Sequence, residues 1–316
     1  MIRMAYLDEP ELNKRILDAY VALMDTKTLR RHWREVRAAI PELKGFHFSM
    51  RQLISAPFDL LVEMAKSYDQ ALSGLSAERK KAINDMLLCK VFNYDGYYQR
   101  KKIAPFFREH AEALKLHTCH YCDMAYINTY EYVDRKDGGR RKASHFDLDH
   151  ILEKSDYPVF AFSLYNLVPS CPVCNERLKG KEPLAKTKKM LVKFSPTSKG
   201  FEFDREVRME LLPLGKEVAR PFVEHADGYE LTFDCHRDKD YEQYVERFRL
   251  KERYNYHKGE ALRLKDLQMR YPDVNIVNIA IMLKVPFDEV KEDIFGLHFG
   301  ESQHRCFGKL RKDMMK

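Results

Sequence analysis

The sequence predicts an α+β protein in which a mainly helical body carries a small embedded ββα module. Apolar residues near the start recur at helical spacing, as Leu12, Ile16 and Tyr20 do. In the middle of the chain the apolar period changes to two, around a turn at Asp137-Gly138-Gly139, and helical spacing returns after Asp238. The predicted regions are a helical N-terminal region at 1–115, the ββα module at 116–186, and a C-terminal region of short strands followed by helices at 187–316.

The N-terminal region opens with a helix signal, Asp8-Glu9-Pro10-Glu11, in which a capping residue precedes an early proline and acidic residues. Ser76 opens a further predicted helix that runs to about Phe92. The helix predicted from Thr28 to Ile40 is rich in arginine. Its arginines either contact phosphates or form a solvated face, and the sequence allows both readings: Arg30, Arg31, Arg34 and Arg37.

The alternating segment predicts a hairpin whose first strand covers residues 126–134 and whose second covers Ala143 to Ile151. The turn between them is flanked by five cations: Arg135, Lys136, Arg140, Arg141 and Lys142. They suit either a guide for phosphates or an exposed basic tip. A short helix is predicted from Pro172 to Leu178.

Three short strands are predicted between residues 190 and 235, at Leu191–Phe194, Phe201–Phe203 and Glu230–Phe233. Further on, the segment from Asn278 to Val290 has the spacing of a helix-turn-helix. Its second helix is acidic and would repel phosphates, so we expect helix packing or a partner-docking surface there.

Seven cysteines are present, an odd number, and four of them form two Cys-x2-Cys pairs. In a reducing compartment this pattern favours a metal site over disulfides. Four thiolates suit a tetrahedral structural zinc ion. The candidate ligands are Cys119, Cys122, Cys171 and Cys174. Cys89, in an apolar stretch, is expected to be a small buried residue.

Between the two cysteine pairs lie the groups that phosphodiester hydrolysis requires, namely a base for water and oxygen ligands for a cation. Asp149 and His150 are adjacent at the end of a predicted strand, so one can bind metal while the other faces water. Asn175 can bring an oxygen to the same ion, and Asn166 can fix the intervening loop. Asp147 is a second carboxylate on the same strand face as Asp149, either facing solvent, which we expect, or serving the site as a supporting group or an extra ligand.

These residues resemble the HNH endonucleases, the ββα-metal nucleases, in which a strand ending in Asp-His is followed by a loop asparagine and a Cys-x2-Cys-Asn helix with a trailing Lys-Gly. The resemblance covers about 65 residues. The third position of the motif is asparagine here instead of histidine, as in the HNH domain of CRISPR effector nucleases. It implies that His150 is the general base, that Asp149 and Asn175 ligate a catalytic divalent ion, and that Asn166 positions the loop. Oxygen ligands imply Mg²⁺ or Mn²⁺.

The flanks resemble nuclease effectors of bacterial antiphage systems, with Septu-type HNH proteins and their ATPase partners as the comparison. The HNH resemblance implies DNA as the substrate, and the Septu comparison makes a regulatory ATPase a candidate partner. One HNH site would nick a single strand, so a homodimer, which could cut both strands, is a second candidate partner. Two alternatives stay open: a partner-gated effector that cuts RNA or tRNA, and a zinc-stapled adaptor without catalysis. The apolar runs are too short to span a bilayer and the start lacks a secretion signal, so a cytoplasmic location without membrane association is expected.

Charge is spread unevenly along the chain. The formal net charge is +7, yet the module at 116–186 holds ten Lys and Arg against ten Asp and Glu. If nucleic acid is the substrate, attraction of phosphates must therefore come from the neighbouring segments and from the metal.

Overall fold

The computed structural model describes residues 1, 3–215, 222–296 and 306–315. The chain divides into two compact units. The larger unit contains Ile2–Leu116 and Ile127–Glu202, and the smaller contains Met1, His117–Tyr126 and Phe203–Lys316. Helices and short antiparallel strand pairs make up the described residues, which confirms the predicted α+β class.

The larger unit is mainly helical. Its α-helices are α1 (Pro10–Met24), α2 (Lys27–Ala39), α3 (Met50–Ser55), α4 (Phe58–Ala71), α5 (Ala77–Lys90), α6 (Ala104–Glu109) and α7 (Lys188–Phe194). Two π-helical segments, Tyr94–Ile103 and Val173–Lys179, join them. Short 3-10 turns lie at Ala5–Leu7, Pro41–Gly45, Pro158–Phe160 and Leu164–Asn166.

Four strands of the larger unit form two separate antiparallel pairs: β1 (Thr129–Val133) with β2 (Arg140–Ser144), and β3 (Asp147–His150) with β4 (Leu167–Ser170). In the second pair His150 lies opposite Leu167 and Asp149 opposite Val168. The segment Val173–Lys179 follows β4 directly, so β3, β4 and this helix form a ββα arrangement.

The smaller unit pairs β5 (Arg208–Pro213) with β6 (Tyr229–Asp234). Its helices are α8 (Phe203–Glu206), α9 (Asp240–Arg247), α10 (Leu250–Tyr256), α11 (Lys258–Arg270), α12 (Asp273–Leu283), α13 (Phe287–Phe295) and α14 (Gly308–Met314), with a 3-10 turn at Phe222–Gly228. The predicted helix packing near residue 280 is present, since Ile276 and Ala280 share an apolar cluster with Val290 and Phe295.

Local chemistry explains where several helices begin. Proline stands first in α1, where its missing N–H costs no hydrogen bond. Ser76 accepts a hydrogen bond from the Arg79 N–H and caps α5, as the sequence predicts. Ser49 and Gln52 form a reciprocal capping box at α3.

The core of the larger unit is aromatic, and Trp33 lies near its centre with about 1% of its surface exposed. Edge-to-face contacts join Trp33 to Phe46 and to Phe92, with ring centroids 6.2 and 5.7 Å apart. Phe92 in turn contacts Phe162 at 5.5 Å. Such pairs add directional attraction to the burial of apolar area, so α2 and α5 are held against the loop that precedes β4.

Of the five predicted strands, three were wrong and two were right, the first of these two being residues 126–134, which contain β1. The predicted strand from Ala143 to Ile151 is two strands, because the chain bends at residues 145–146 and changes its pairing partner. Leu191–Phe194 is helical: residues 191 and 194 are both buried, the spacing of a helix face. Phe201–Phe203 is not a strand, since α8 begins at its last residue, whereas Glu230–Phe233 lies within β6.

Cys89 is exposed, contrary to expectation. It lies on the outer face of α5, whereas Leu87, two residues earlier, is fully buried. Among the described residues, no helix has the length and apolar character needed to cross a membrane.

Candidate functional site

The four predicted cysteines lie together. The sulfur atoms of Cys119, Cys122, Cys171 and Cys174 are all within 4.8 Å of one another, and all four residues are buried. Sulfurs that share a tetrahedral zinc ion are separated by about 3.8 Å, from a Zn–S distance of about 2.3 Å. The donor set and its spacing therefore fit a metal ion such as zinc.

The first cysteine pair lies in a tight loop that backbone bonds close on itself. The Cys119 N–H donates to the Ala125 carbonyl at 2.8 Å, and the Cys122 N–H donates to the Cys119 carbonyl at 3.2 Å. The hydroxyl of Tyr254 donates to the Cys122 carbonyl at 2.7 Å. Asp123 follows with a positive φ of 56°. These contacts hold the backbone of the loop that carries both thiols.

The predicted catalytic residues all belong to the ββα arrangement. Asp149 and His150 are the last two residues of β3, and Asn166 immediately precedes β4. Asn175 lies in the first turn of the helix that follows. Antiparallel pairing brings the end of β3 to the start of β4, which explains how residues 16 positions apart in sequence meet.

His150 is buried and oriented. Its Nε2–H donates to the carbonyl of Ala161 at 3.1 Å, and a carbonyl can only accept, so the proton of a neutral ring is on Nε2 and the lone pair is on Nδ1. Burial lowers the pKa of His150 to about 3, more than the Ala161 bond raises it, with Lys154 and Lys179 adding to the fall. The neutral imidazole is the form that accepts a proton.

Asn166 binds the loop between the strands, as predicted for a positioning residue. Its Oδ1 accepts from the Leu152 N–H at 2.7 Å, and its Nδ2 donates to the carbonyls of Leu152 and Phe160 at 3.0 and 3.1 Å. The side chain is fully buried. Because Phe160 immediately precedes Ala161, this amide also fixes the carbonyl that orients His150.

Asn175 is adjacent to Asp147. The Nδ2 of Asn175 donates to Oδ2 of Asp147 at 3.4 Å, a long hydrogen bond. Asp147 is half-buried, so of its two predicted environments the structure favours a place beside the site over open solvent. Two carboxylates and one amide oxygen therefore lie on β3 and the following helix.

Lys179 forms a buried ion pair that the sequence did not reveal. Its Nζ donates to Asp149 at 3.0 Å and also to Glu153. Burial alone would lower the pKa of Lys179, but the charges of Asp149 and Glu153 outweigh it and raise the pKa. Gly180 follows with a φ of 57° and ends the helix directly after the lysine. The Lys-Gly pair of the motif marks Lys179 in the sequence, but it does not show that Lys179 pairs with Asp149 and Glu153.

Tyr94 is a second residue that the sequence did not assign to the site. Its ring lies edge-to-face against that of His150, with centroids 4.5 Å apart. Its hydroxyl is buried and has no hydrogen-bond partner among the described residues. Burial raises the pKa of Tyr94, and the charges of Asp95, Asp149 and Asp147 raise it further. The phenol therefore stays protonated and offers a donor close to both strand carboxylates.

The basic hairpin tip of β1 and β2 is exposed, and part of its charge is neutralised internally. Arg141 forms ion pairs with Asp134 at 2.8 Å and Asp137 at 2.5 Å, and Lys142 lies 3.5 Å from Glu131. Arg135, Lys136 and Arg140 are the tip cations that form no ion pair with a described residue. The five cations thus act as a weaker positive patch than their number implies.

Comparison with protein-family models, curated proteins and solved structures finds no match for this chain.

The residues of β3 and the following helix combine a neutral, oriented imidazole with carboxylate and amide oxygen donors. Carboxylate and amide oxygens of Asp147, Asp149 and Asn175 fit Mg²⁺ or Mn²⁺ in donor type. A base and oxygen donors are the residue types that metal-assisted hydrolysis uses.

Proposed function

We propose that this protein is a metal-dependent HNH endonuclease that hydrolyses phosphodiester bonds in DNA. The observation that carries the proposal is the orientation of His150, a buried neutral imidazole held by a backbone carbonyl at the end of β3. Asp149 precedes it on β3, and Asn175 lies in the next helix, where it bonds to Asp147. A zinc staple explains the cysteines but gives no reason for these three side chains to be there.

In the proposed reaction His150 accepts a proton from water at Nδ1 while its Nε2–H stays bound to Ala161. The water oxygen forms a bond to phosphorus, the bond to the 3′ oxygen breaks, and that oxygen takes up a proton. Asp149 and Asn175 would hold the divalent ion, which when bound supplies positive charge to the phosphate and the departing oxygen. Asn166 keeps the Ala161 carbonyl in place, so it acts as a positioning residue.

The four cysteines take a structural role in the proposal. When sulfur fills all four positions of a tetrahedral zinc ion, no position is left for water or substrate. The zinc ion would fix the start of the helix that carries Asn175, because Cys174 is the residue before it. We further propose a role in bacterial defence against phage or foreign DNA, on the resemblance of the sequence to Septu-type effectors; a regulatory ATPase belongs to the partner-gated alternative.

A second candidate is a zinc-stapled nucleic-acid-binding adaptor without catalysis. One observation favours it: the carboxylate of Asp149 is already neutralised by Lys179, so Asp149 has a structural use without a divalent ion. If the protein is a nuclease, cleavage requires His150. If it is an adaptor, His150 serves only to pack against Tyr94.

The test is cleavage of supercoiled plasmid by the purified full chain with Mg²⁺, with Mn²⁺ or without added divalent ion, after measurement of bound zinc. Wild type, His150→Ala and His145→Ala are compared. His145 is an exposed histidine just before β3, which makes it a matched control. We expect metal-dependent nicking that His150→Ala abolishes and His145→Ala retains, with about one zinc per chain in all three.

If all three proteins contain zinc and bind DNA but none cleaves it, the adaptor is supported and the nuclease proposal is wrong. Cleavage that survives His150→Ala would also contradict the proposed mechanism. Cleavage of RNA or tRNA alone, or only after addition of an ATPase partner, would favour the partner-gated alternative.

A further inference from the structure

Most of the residues that line one cleft in the larger unit carry a cation or a hydrogen-bond donor. The cleft has a volume of about 680 Å³, a size typical of ligand sites. Its lining includes five Lys and Arg residues and no carboxylate: Lys27, Arg30, Arg31, Arg34 and Arg37. Thr28, His47 and Ser49 supply further polar groups.

The cations of this cleft are only partly neutralised by the protein. Arg30 lies 3.5 Å from Asp25, and Arg31 lies 3.8 Å from Glu35 in an exposed pair, which stabilises little. Lys27, Arg34 and Arg37 form no ion pair with any residue that the structure describes. Like charges this close together repel one another, so an anion that enters the cleft lowers its electrostatic free energy.

Contacts with the backbone hold two of the side chains that line the cleft. The Nε1–H of Trp33 donates to the Phe48 carbonyl at 2.9 Å. The guanidinium of Arg37 lies 5.7 Å from the Trp33 ring centre and approaches the carbonyls of Phe46 and Phe48 at 3.4 Å. Arg37 is thereby held in place with part of its guanidinium fork facing the cleft. A fixed guanidinium binds planar oxyanion edges better than a mobile ammonium does.

The same aromatic core that supports the cleft also supports His150. Trp33 contacts Phe92, and Phe92 contacts Phe162, through two successive ring contacts of 5.7 and 5.5 Å. Phe162 follows Ala161, whose carbonyl accepts from His150. The basic cleft and the candidate catalytic residues are therefore built on one set of rings within one compact unit.

We infer that this cleft binds the phosphate backbone of a polynucleotide and supplies the positive charge that the segment at 116–186 lacks. The choice of ligand rests on the proposed nuclease function. Arginine forks recognise phosphate oxygens, and Trp33 is buried, so the lining offers charge and hydrogen bonds but no exposed tryptophan, tyrosine or phenylalanine ring for stacking of bases. Binding is accordingly expected to be independent of sequence and sensitive to salt.

The test measures binding of a short fluorescein-labelled DNA duplex by anisotropy, with no added divalent ion, so that cleavage plays no part. The double variant Lys27→Gln/Arg34→Gln is compared with Lys14→Gln/Arg15→Gln on α1. Both pairs are exposed helix cations, and both variants lose the same charge. We expect the cleft variant to bind at least about tenfold more weakly near 0.1 M salt, with a salt slope smaller by about 1.8, from two lost phosphate contacts. The control should change less than about twofold.

Equal affinities in all three proteins, equal losses in both variants, or no DNA binding by wild type would overturn the inference. The inference would also be wrong if the cleft variant bound DNA normally but no longer bound ATP or phosphatidylserine vesicles. Thermal unfolding of each variant shows whether a loss reflects misfolding. If DNA binding depends on the cleft but no protein cleaves DNA, this inference is supported and the nuclease proposal is wrong. If the cleft variant cleaves DNA as well as wild type does, the nuclease proposal is supported and this inference is wrong.

Discussion

Replacing Lys179 by methionine should strongly destabilise the larger unit. The lysine side chain has no exposed surface, and the side chains of its partners Asp149 and Glu153 are about 4% and 17% exposed. Methionine keeps most of the apolar stem but removes the ammonium, which leaves Asp149 as a buried charge without its partner. Breaking a buried pair in this way costs about 3–5 kcal/mol. We expect that loss in the free energy of unfolding.

The chain contains one tryptophan, Trp33, which is buried in the same unit as Lys179. Its fluorescence during guanidinium unfolding therefore reports on that unit. Lys181→Met, two residues further on and exposed, is the matched control and should change the unfolding free energy by less than about 0.5 kcal/mol.

A double variant separates the ion pair from general damage. Lys179→Met combined with Asp149→Asn removes both charges, so its loss should be smaller than the sum of the two single losses by about 2 kcal/mol. If Lys179→Met unfolds as easily as Lys181→Met does, or if the double variant shows simple additivity, the reasoning about a buried pair is wrong.

The effect of pH on this loss has a definite sign. The pKa of Lys179 is raised in the folded protein, so its ionic contribution is fully present below the pKa of the unfolded lysine, about 10.4. That contribution is lost as the pH rises through the higher folded value. The difference between wild type and Lys179→Met should therefore stay constant between about pH 6 and about pH 9.

Three further predictions concern other parts of the site. Cys171→Ser should lower the amount of bound zinc and the thermal midpoint, whereas Cys89→Ser, at an exposed position, should change neither, as measured by metal analysis and calorimetry. If the two variants both keep their zinc and their midpoint, the four-cysteine site is excluded. Asn166→Ala removes three hydrogen bonds to buried backbone groups and should cost about 2–4 kcal/mol in denaturant unfolding; a loss below about 1 kcal/mol would mean that the loop does not depend on it. Tyr94→Phe removes a buried hydroxyl that has no partner among the described residues, so the free energy of unfolding should stay the same or rise by about 1 kcal/mol. Plasmid nicking should become slower. A lower free energy of unfolding would show that the hydroxyl has a partner.

The local signals in the sequence identified much of the site. Proline at the start of α1, Ser76 before α5 and the glycines of the hairpin turn act through their own backbone preferences, which are the same in any fold. The spacing of the cysteine pairs likewise indicated a metal site before any contact was known.

Pairing and burial required the tertiary structure. The residues from Ala143 to Ile151 alternate like one strand, yet β2 pairs with β1 and β3 pairs with β4, because a strand's partner is decided by non-local packing. Leu191–Phe194 has strand-forming residues and is helical, since burial of residues 191 and 194 against one surface outweighs local preference.

The sequence by itself determined which side chains are able to do chemistry: the four cysteines, Asp149, His150, Asn166 and Asn175. It could not determine their charge balance or their neighbours. Lys179 beside Asp149, Tyr94 against His150 and Asp147 beside Asn175 all depend on contacts between residues 28 or more positions apart. Only folding creates such contacts, because a short-range pattern carries no record of which distant side chain fills the space next to a buried charge.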